Sequence, residues 1–563
     1  MDKFFASWLA LVILSLIASL ARADDGSEHP RSIVSITICS PDSTGAITPA
    51  CGRAYDTERA VLAAGAPPQT INQAGFGTAT DEHSTVFPPG YLGGNRDYLF
   101  FVASGSKGVN PDIGMMVLSS PGPDNHGQWT AQPATANGYG SYSAGPGQVF
   151  LPPLKPFACP VKEQDSTFDL NYGAAGTVFK DPTSESGRLL MVYEGNNDCI
   201  GAVGGQKLGS DSYQTIGVAT SVDGGRSWPR YASKGAYVSA PLPQADPVGS
   251  PTTDYGPQAP FGAMGQDVCM GNVCPPHVPA NYGRYEVLSP SASLDGLMQN
   301  KTVLNGQLGH SEPSAFIDDV QSDDGADDGD PSPYVYIVTH YLSDHGLAPL
   351  VPPSDGRNDD LAVARAKLDR NGAPLNFSKW NGTSFPAAGD GIGGTDAAML
   401  PGASDGNFSA CGDNASNQGR SQGSISWVEE TRQYLLVFVC SSPGDPASGA
   451  PTSGEHGSAW FYATTDNLSD QSGWSIPKEI EGSYARNVEA DTEKVGNDCA
   501  TFNGWYPTLM SLNKVPGHLS THGYVFYLIG SLGACTDDDN DQDGGLAPRT
   551  YASRQFTIVT VPR

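Results

Sequence analysis

Glu82 and Glu312 lie far apart in the chain but in matching local settings. Each stands two residues ahead of a serine, in Glu82-His83-Ser84 and Glu312-Pro313-Ser314, and each opens a short apolar run. Two carboxyl groups brought together can do acid–base work: one gives a proton to a leaving oxygen, and the other activates water or attacks directly. Asp81, beside Glu82, and Asp169, ahead of a comparable run, are further acids that could join them. Polar and aromatic residues share these openings: Asn171, Tyr172, His310, Arg420, Gln422, Trp505 and Tyr506. Arg and Gln bond hydroxyl groups, aromatic faces stack on flat ligands, and His310 is placed to orient Glu312 or a water. A plainer reading stays open beside this one. Loop carboxylates are common in a chain with 60 acids, Trp505 and Tyr506 would serve as core, and His310 would be an ordinary strand-end histidine.

Such residues meet only if the elements that carry them converge. Residues 309–342 read as a β-hairpin with a charged opening. His310, Ser311 and Glu312 lead into an apolar run at 315–317, an acidic Gly-rich turn, and a strand at 334–342 dominated by β-branched and aromatic residues. Four other stretches share this build, at 81–104, 169–194, 420–441 and 504–530. Aligned on the small residue before the first strand, the five read Glu82-His83-Ser84, Ala174-Ala175-Gly176, Glu312-Pro313-Ser314, Gln422-Gly423-Ser424 and Tyr506-Pro507-Thr508. Third strands follow at 115–119, 215–220, 361–365, 460–464 and 554–561, and Trp129, Trp228, Trp380 and Trp474 come late in four of the units. Self-similar β units mark a propeller. The expectation is an all-β, five-bladed β-propeller with long loop insertions over residues 77–563. Residues 24–76 form an N-terminal extension that packs on it and could supply a closing strand. An irregular β-sandwich, or two unrelated β domains, is the alternative. The largest insertion, 229–309, is Pro-, Gly- and Ser-rich with little periodic structure.

Composition narrows the partners. The formal charge is −29, from 60 acidic against 31 basic residues. No basic footprint for nucleic acid is visible, and neutral substrates or cationic partners fit better than polyanions. With 68 Gly, 45 Pro, 23 Tyr and 20 Phe, the chain reads as many turns between short strands. Residues 4–20 are nearly all apolar after Lys3, and Ala21-Arg22-Ala23 offers a cleavage site. Residues 1–23 therefore read as a secretory signal peptide rather than an anchor, leaving an exported protein with no membrane partner. Ten Cys suit an oxidising compartment. In chain order they pair as Cys39 with Cys51, Cys159 with Cys199, Cys269 with Cys274, Cys411 with Cys440, and Cys499 with Cys535, a pattern that sequence alone does not fix. Glycosylation sequons begin at Asn300, Asn376, Asn381, Asn407, Asn414 and Asn467. The run at 194–198 reads as a polar turn beside Cys199, and 318–330 as a solvated acidic loop. Asp539, Asp541 and Asp543 have a spacing that offers oxygen ligands to calcium, but Thr550 stands where a twelfth-position Glu would complete the loop. No cofactor is required, calcium is the one metal suggested, and a monomer is expected.

Two motifs carry a resemblance. Ser221-Val222-Asp223-Gly224-Gly225-Arg226-Ser227-Trp228 resembles the Asp box of sialidases and related propellers, and 464–474 is similar to a degenerate copy with an insertion. In those families the box is a structural turn between outer strands of a blade. The five-unit organisation resembles the five-bladed propeller glycoside hydrolases, the arabinanase and xylosidase-like enzymes of glycoside hydrolase family 43 and their relatives. That resemblance implies Glu312 as general acid, Asp81 or Glu82 as base, and Asp169 as the acid that tunes Glu312. Asp169, however, lies upstream of the aligned position, now Ala174. The implied activity is a secreted glycoside hydrolase acting on a neutral glycan by carboxylate acid/base chemistry at the propeller axis. A non-catalytic propeller binding glycan or protein is the first alternative. A sialidase-like hydrolase is the second, with Arg420 and Arg554 as the nominated arginines.

Overall fold

In the computed structural model the described strands form four hydrogen-bonded sheets, the largest of which spans two blades, so that taken blade by blade they make five sets. Strand β1 (Thr37–Ile38) belongs with the last of them. The first set is β2 (Ala79–Phe87), β3 (Leu99–Gly105) and β4 (Gly114–Ser119), with β5 (Thr130–Ala131) and β6 (Gln148–Phe150) both on β4. The second runs β7 (Tyr172–Lys180), β8 (Leu189–Asn197), β9 (Ser212–Ser221) and β10 (Arg284–Leu288). The third runs β11 (Gln307–Asp318), β12 (Tyr334–Leu342), β13 (Asp359–Lys367) and β14 (Ser378–Lys379). The fourth is β15 (Arg420–Val428), β16 (Gln433–Ser441), β17 (Ser458–Thr465) and β18 (Lys478–Glu479), with β20 (His518–Leu519) laid parallel on β15. The fifth is β19 (Asn503–Met510), β21 (Val525–Ala534) and β22 (Thr550–Thr560), completed by β1, which pairs antiparallel to β22 with Thr37 opposite Thr560. The structure describes these strands and many of the turns between them. Among the longer stretches outside the described residues are 1–32, 39–78, 132–147, 151–167, 200–211, 229–283, 320–332, 401–419, 442–457, 481–502 and 535–549. The signal peptide, the sequons at Asn407 and Asn414, and Asp539, Asp541 and Asp543 all fall there. Among the described residues no helix is long and apolar enough to cross a membrane.

The second strands whose side chains are described look unbroken in their hydrophobicity because both of their faces are covered. In β12, Val335 and Ile337 join a core shared with blade two, through Leu190, Val192, Ile216 and Val218. Tyr336 and Val338 point the other way, into a core shared with blade four that holds Trp427, Leu436 and Phe438. Likewise Leu435, Val437 and Val439 of β16 turn from that core into the next, where Leu509 of blade five and the N-terminal Ile33 and Ile36 pack. The cores are thus slabs between neighbouring blades, and a strand alternating at period two feeds two slabs at once.

A relay of hydroxyls links the inner strands around the axis. Thr85 Oγ1 of blade one accepts from Val178 N of blade two at 2.9 Å, and Thr177 Oγ1 accepts from Ala315 N of blade three at 2.8 Å. Ser314 donates to the Gly423 carbonyl of blade four, and Ser424 to the Pro507 carbonyl of blade five at 3.0 Å. Thr508 Oγ1 returns to His83 Nδ1 of blade one at 3.0 Å. The circuit visits all five sets and ends where it began, which makes the fold a β-propeller.

Several connections differ from the sequence reading. Insertion 229–309 is not all loop: it contains β10, the outer strand of blade two, which no periodic signal marked. Residues 194–197 are strand rather than turn, lying buried in β8, and only Asp198 and the disulfide-bonded Cys199 turn. Asp318 is no loop acid: it ends β11, buried, and accepts the Tyr434 hydroxyl at 2.7 Å. After β9, Gly225 N donates to Ser221 Oγ, and Trp228 is buried with its indole N–H on the Gly225 carbonyl. The turn after β17 is built similarly, with Trp474 buried and its indole N–H on Gln471 Oε1. The side chain of Asp223 lies outside the described residues.

Candidate active site

Every inner strand carries a bulge at the same height. Glu312 and Pro313 together face the single residue Thr339, Gln422 and Gly423 face Phe438, and Tyr506 and Pro507 face Gly530, as the register jumps show. In blade two Gly176 and Thr177 face Val192, and in blade one Glu82, His83 and Ser84 face Val102. The bulges correct the sequence alignment in blade two: the residue equivalent to Glu312 is Gly176, not Ala174. A Cβ at Gly176 would sit 2.2 Å from the Pro313 carbonyl oxygen, so that position has no room for a side chain. A bulge re-aims the residue it carries. Glu312, Gln422 and Tyr506 have φ of 53°, 57° and 58°, the left-handed region that non-glycine residues seldom adopt. Holding three such residues at one level costs on the order of 1–3 kcal/mol each, and strain of this kind collects at functional sites.

The three strained residues form a chain of hydrogen bonds, Tyr506 through its backbone and Gln422 and Glu312 through their side chains. Tyr506 N donates to Gln422 Oε1 at 2.6 Å. A backbone N–H can only donate, so this fixes the Gln422 amide and turns its Nε2 toward Glu312 Oε1, at 3.1 Å. His340 Nδ1, on the neighbouring strand β12, lies 3.2 Å from Glu312 Oε2, and both side chains are partly exposed. The Glu312 backbone N–H is itself held, donating to Glu194 Oε2 of β8 at 2.8 Å. The Glu312 carboxyl group is therefore gripped on one oxygen by blade four and faced on the other by an imidazole. Its backbone rests on a second, buried carboxylate from blade two.

Two positions upstream, His310 has a different task. Its Nδ1 is 2.9 Å from Thr339 Oγ1, and its Nε2 is 3.2 Å from Asp396 Oδ1. Lys379 Nζ reaches the other Asp396 oxygen at 2.8 Å and the Gly394 carbonyl at 3.1 Å, and also bonds the Ser289 carbonyl. Burial pushes the His310 pKa down, against the pull of Asp396. For Asp396 burial alone would raise the pKa, but Lys379 and His310 outweigh it and hold the carboxyl below its usual range. This network ties the 389–400 segment to the inner strand of blade three. Arg420 is likewise engaged: its Nε donates to Asp360 Oδ1 at 2.7 Å and its Nη2 to Oδ2, both residues buried, so the guanidinium clamps blade four to blade three.

Of the residues singled out from sequence, Glu312, Gln422 and Tyr506 are brought into one hydrogen-bonded row, with His310 and Arg420 just behind it. Tyr506 is buried and meets His83 edge-on at 5.9 Å. Asp169 is buried and accepts the Tyr193 hydroxyl at 3.0 Å. Tyr193 and Glu194 alternate along β8, so Asp169 lies across that strand from the face that meets Glu312. Asp81 and Glu82 stand at the blade-one bulge, but their side chains, like those of Tyr172, Trp505 and Arg554, lie outside the described residues, as does Asn171. Glu194, His340, Asp360 and Asp396 were missed. None carries a local motif; the unaccompanied acid within the apolar run of β8 was the one available sign for Glu194. Among the described residues no group of three or more His, Cys, Asp or Glu side chains could hold a metal ion.

No protein-family model matches the chain, and no curated protein matches it in sequence. Solved structures do match at low similarity. An inulosucrase from Halalkalicoccus jeotgali bound to kestose shares 12% identity at a TM-score of 0.42, covering 88% of each chain. An α-L-arabinofuranosidase from Podospora anserina in complex with cellotriose shares 10% at 0.36, covering 88% of this chain and 96% of that one. An α-L-arabinofuranosidase of Fusarium graminearum with an iminosugar inhibitor shares 8% at 0.34, covering 86% and 97%. At these scores the fold assignment rests on the strand pairing and the hydroxyl circuit.

Proposed function

We propose that this chain is an exported glycoside hydrolase acting on a neutral glycan, with Glu312 as its acid–base group. The observation that carries the reading is the held Glu312 carboxyl: strained backbone aims it, Gln422 occupies Oε1 as a donor, and Oε2, 3.2 Å from the His340 imidazole, is the oxygen through which a proton would be passed. A glycosidic oxygen leaving at the axis takes that proton, while a second carboxylate activates water or attacks the sugar. Asp81 or Glu82, at the blade-one bulge, supplies that partner. The removed leader at 1–23, the Asp-box turn at 221–228 and the local disulfides belong to the same reading of a secreted, monomeric enzyme. A sialidase-like reaction is disfavoured because Arg420 is engaged by Asp360 rather than open to a substrate carboxylate.

The test is hydrolysis of a panel of neutral glycans by the wild type and by Glu312→Gln. Loss of about 10²–10⁴-fold in rate is expected for an acid–base group. Equal rates would remove Glu312 from the mechanism, and glycan binding without turnover in either protein would leave a non-catalytic binding propeller.

A further inference from the structure

On the face of blade two turned toward blade three, apolar residues give way to uncharged polar ones. Alternate side chains along β8 run Leu190, Val192, Glu194, Asn196, and along β9 Val218, Ile216, Gln214, Ser212. Register sets Val192 opposite Val218, Glu194 opposite Ile216, and Asn196 opposite Gln214, so the two rows stand side by side. The lower rungs belong to the core between the blades. At the upper end Asn196, Gln214 and Ser212 are 7%, 3% and 4% exposed, yet Asn196 Oδ1, Gln214 Oε1 and Ser212 Oγ have no hydrogen-bond partner among the described residues. Buried polar atoms are nearly always paired, and leaving one unpaired is costly. Three such atoms on one small patch call for an occupant.

Chemistry and place narrow what the occupant is. All three atoms are oxygens that accept hydrogen bonds, and a cross-strand pair such as Asn196 and Gln214 has its Cβ atoms about 5 Å apart, so its acceptors serve one small ligand. One rung below, Glu194 receives the Glu312 amide, which puts the patch beside the candidate catalytic carboxyl. An anion is disfavoured by the buried Glu194 one rung below, and a metal cation prefers charged oxygens to amides. A ring that presents several hydroxyl donors at fixed spacing and carries no charge meets every condition. We infer that Asn196, Gln214 and Ser212 form a subsite for the hydroxyl groups of a neutral sugar unit adjoining the bond on which Glu312 acts. The inference rests on the catalytic reading of Glu312 for its place in the reaction, but on the unpaired oxygens for its existence.

The experiment is isothermal titration calorimetry of the full chain carrying Glu312→Gln, with neutral pentose and hexose di- and trisaccharides as probes. At least one probe is expected to bind. Adding Gln214→Met or Asn196→Leu, which fill the same space without the acceptor, should weaken that binding at least tenfold while the melting temperature holds or rises. Ser212→Ala, the smallest change, should weaken it about threefold and keeps the test open if a larger replacement fails to fold. Unchanged affinity in folded variants would overturn the subsite, as would a fall in melting temperature with binding intact, since the oxygens would then serve the fold. Failure of every probe to bind the Glu312→Gln chain would overturn it as well. Undiminished hydrolysis in Glu312→Gln, with binding still dependent on Gln214, would strike the catalytic reading alone and leave the subsite standing.

Discussion

Arg420 stands at a strand opening where an exposed guanidinium would meet a ligand, and it closes instead on Asp360 of the neighbouring blade. Breaking a buried pair leaves the surviving charge stranded, so Asp360→Asn should cost about 3–5 kcal/mol in urea unfolding. Gln422→Met should free the Glu312 carboxyl to rotate, and on the proposed mechanism lower kcat by at least about tenfold, while the stranded Tyr506 N–H lowers stability by about 1–3 kcal/mol. His310 and Asp396 predict a pH dependence. His310 is held neutral by burial, so its folded pKa lies below the ordinary 6.5 and the unfolded chain takes up the proton first. Asp396 is held ionised, so its folded pKa lies below 3.8 and it too binds its proton more readily when unfolded. Both contributions are complete at neutral pH and are lost on acidification, that of His310 from about pH 6.5 downward and that of Asp396 from about 3.8. His310→Gln should flatten the upper part of a melting-temperature curve measured between pH 7 and 4 and leave the lower part. Glu312 was legible in the sequence because it sits at a repeated opening. Glu194 was not, because its partner is the backbone amide of a residue on another blade, and no spacing in the sequence encodes that.

The bulged inner strand is the element on which the site depends. Two residues opposite one turn a strand enough to bring Glu312, Gln422 and Tyr506 into a row, and the hydroxyl after each of these bulges then reaches the next blade or closes on the first. Ser314→Ala should therefore loosen the junction of blades three and four by about 1 kcal/mol. Gly176→Ala should cost more, about 1–3 kcal/mol, because the Pro313 carbonyl must retreat; urea unfolding measures both. The hairpins were readable from alternation and from their β-branched second strands. The bulges were not, since an extra residue in a strand leaves no compositional trace, and for that reason the blade-two alignment slipped to Ala174. Strand β10 was hidden for a different reason. A short outer strand needs only one side covered and one neighbour to pair with, so a long Pro- and Gly-rich stretch can deliver it without any periodic prelude.

At the scale of the whole molecule, slabs of core lie between neighbouring blades from the second to the fifth among the described residues, and the slab between blades four and five is finished by residues from before the first blade. Ile36 is fully buried among Val437, Trp460 and Leu509, so Ile36→Ala should lower stability by about 2–5 kcal/mol, read as a shifted urea midpoint. Composition and the five repeats made the propeller legible, whereas closure depends on a two-residue pairing too short to register as a pattern. That pairing, Thr37 with Thr560 and Ile38 with Val559, has a consequence for how the protein is made. A ribosome delivers Thr37 long before Thr560, so the seam cannot form until all five blades up to β22 have emerged. Until then the blade-four slab lacks Ile33 and Ile36, and the edge that will receive β1 does not yet exist. Contacts between residues so far apart in sequence form slowly, and a growing chain with its seam open is the species most exposed to aggregation and to chaperone capture. A message truncated before β22 would thus yield a ring that never closes, rather than a slightly smaller protein.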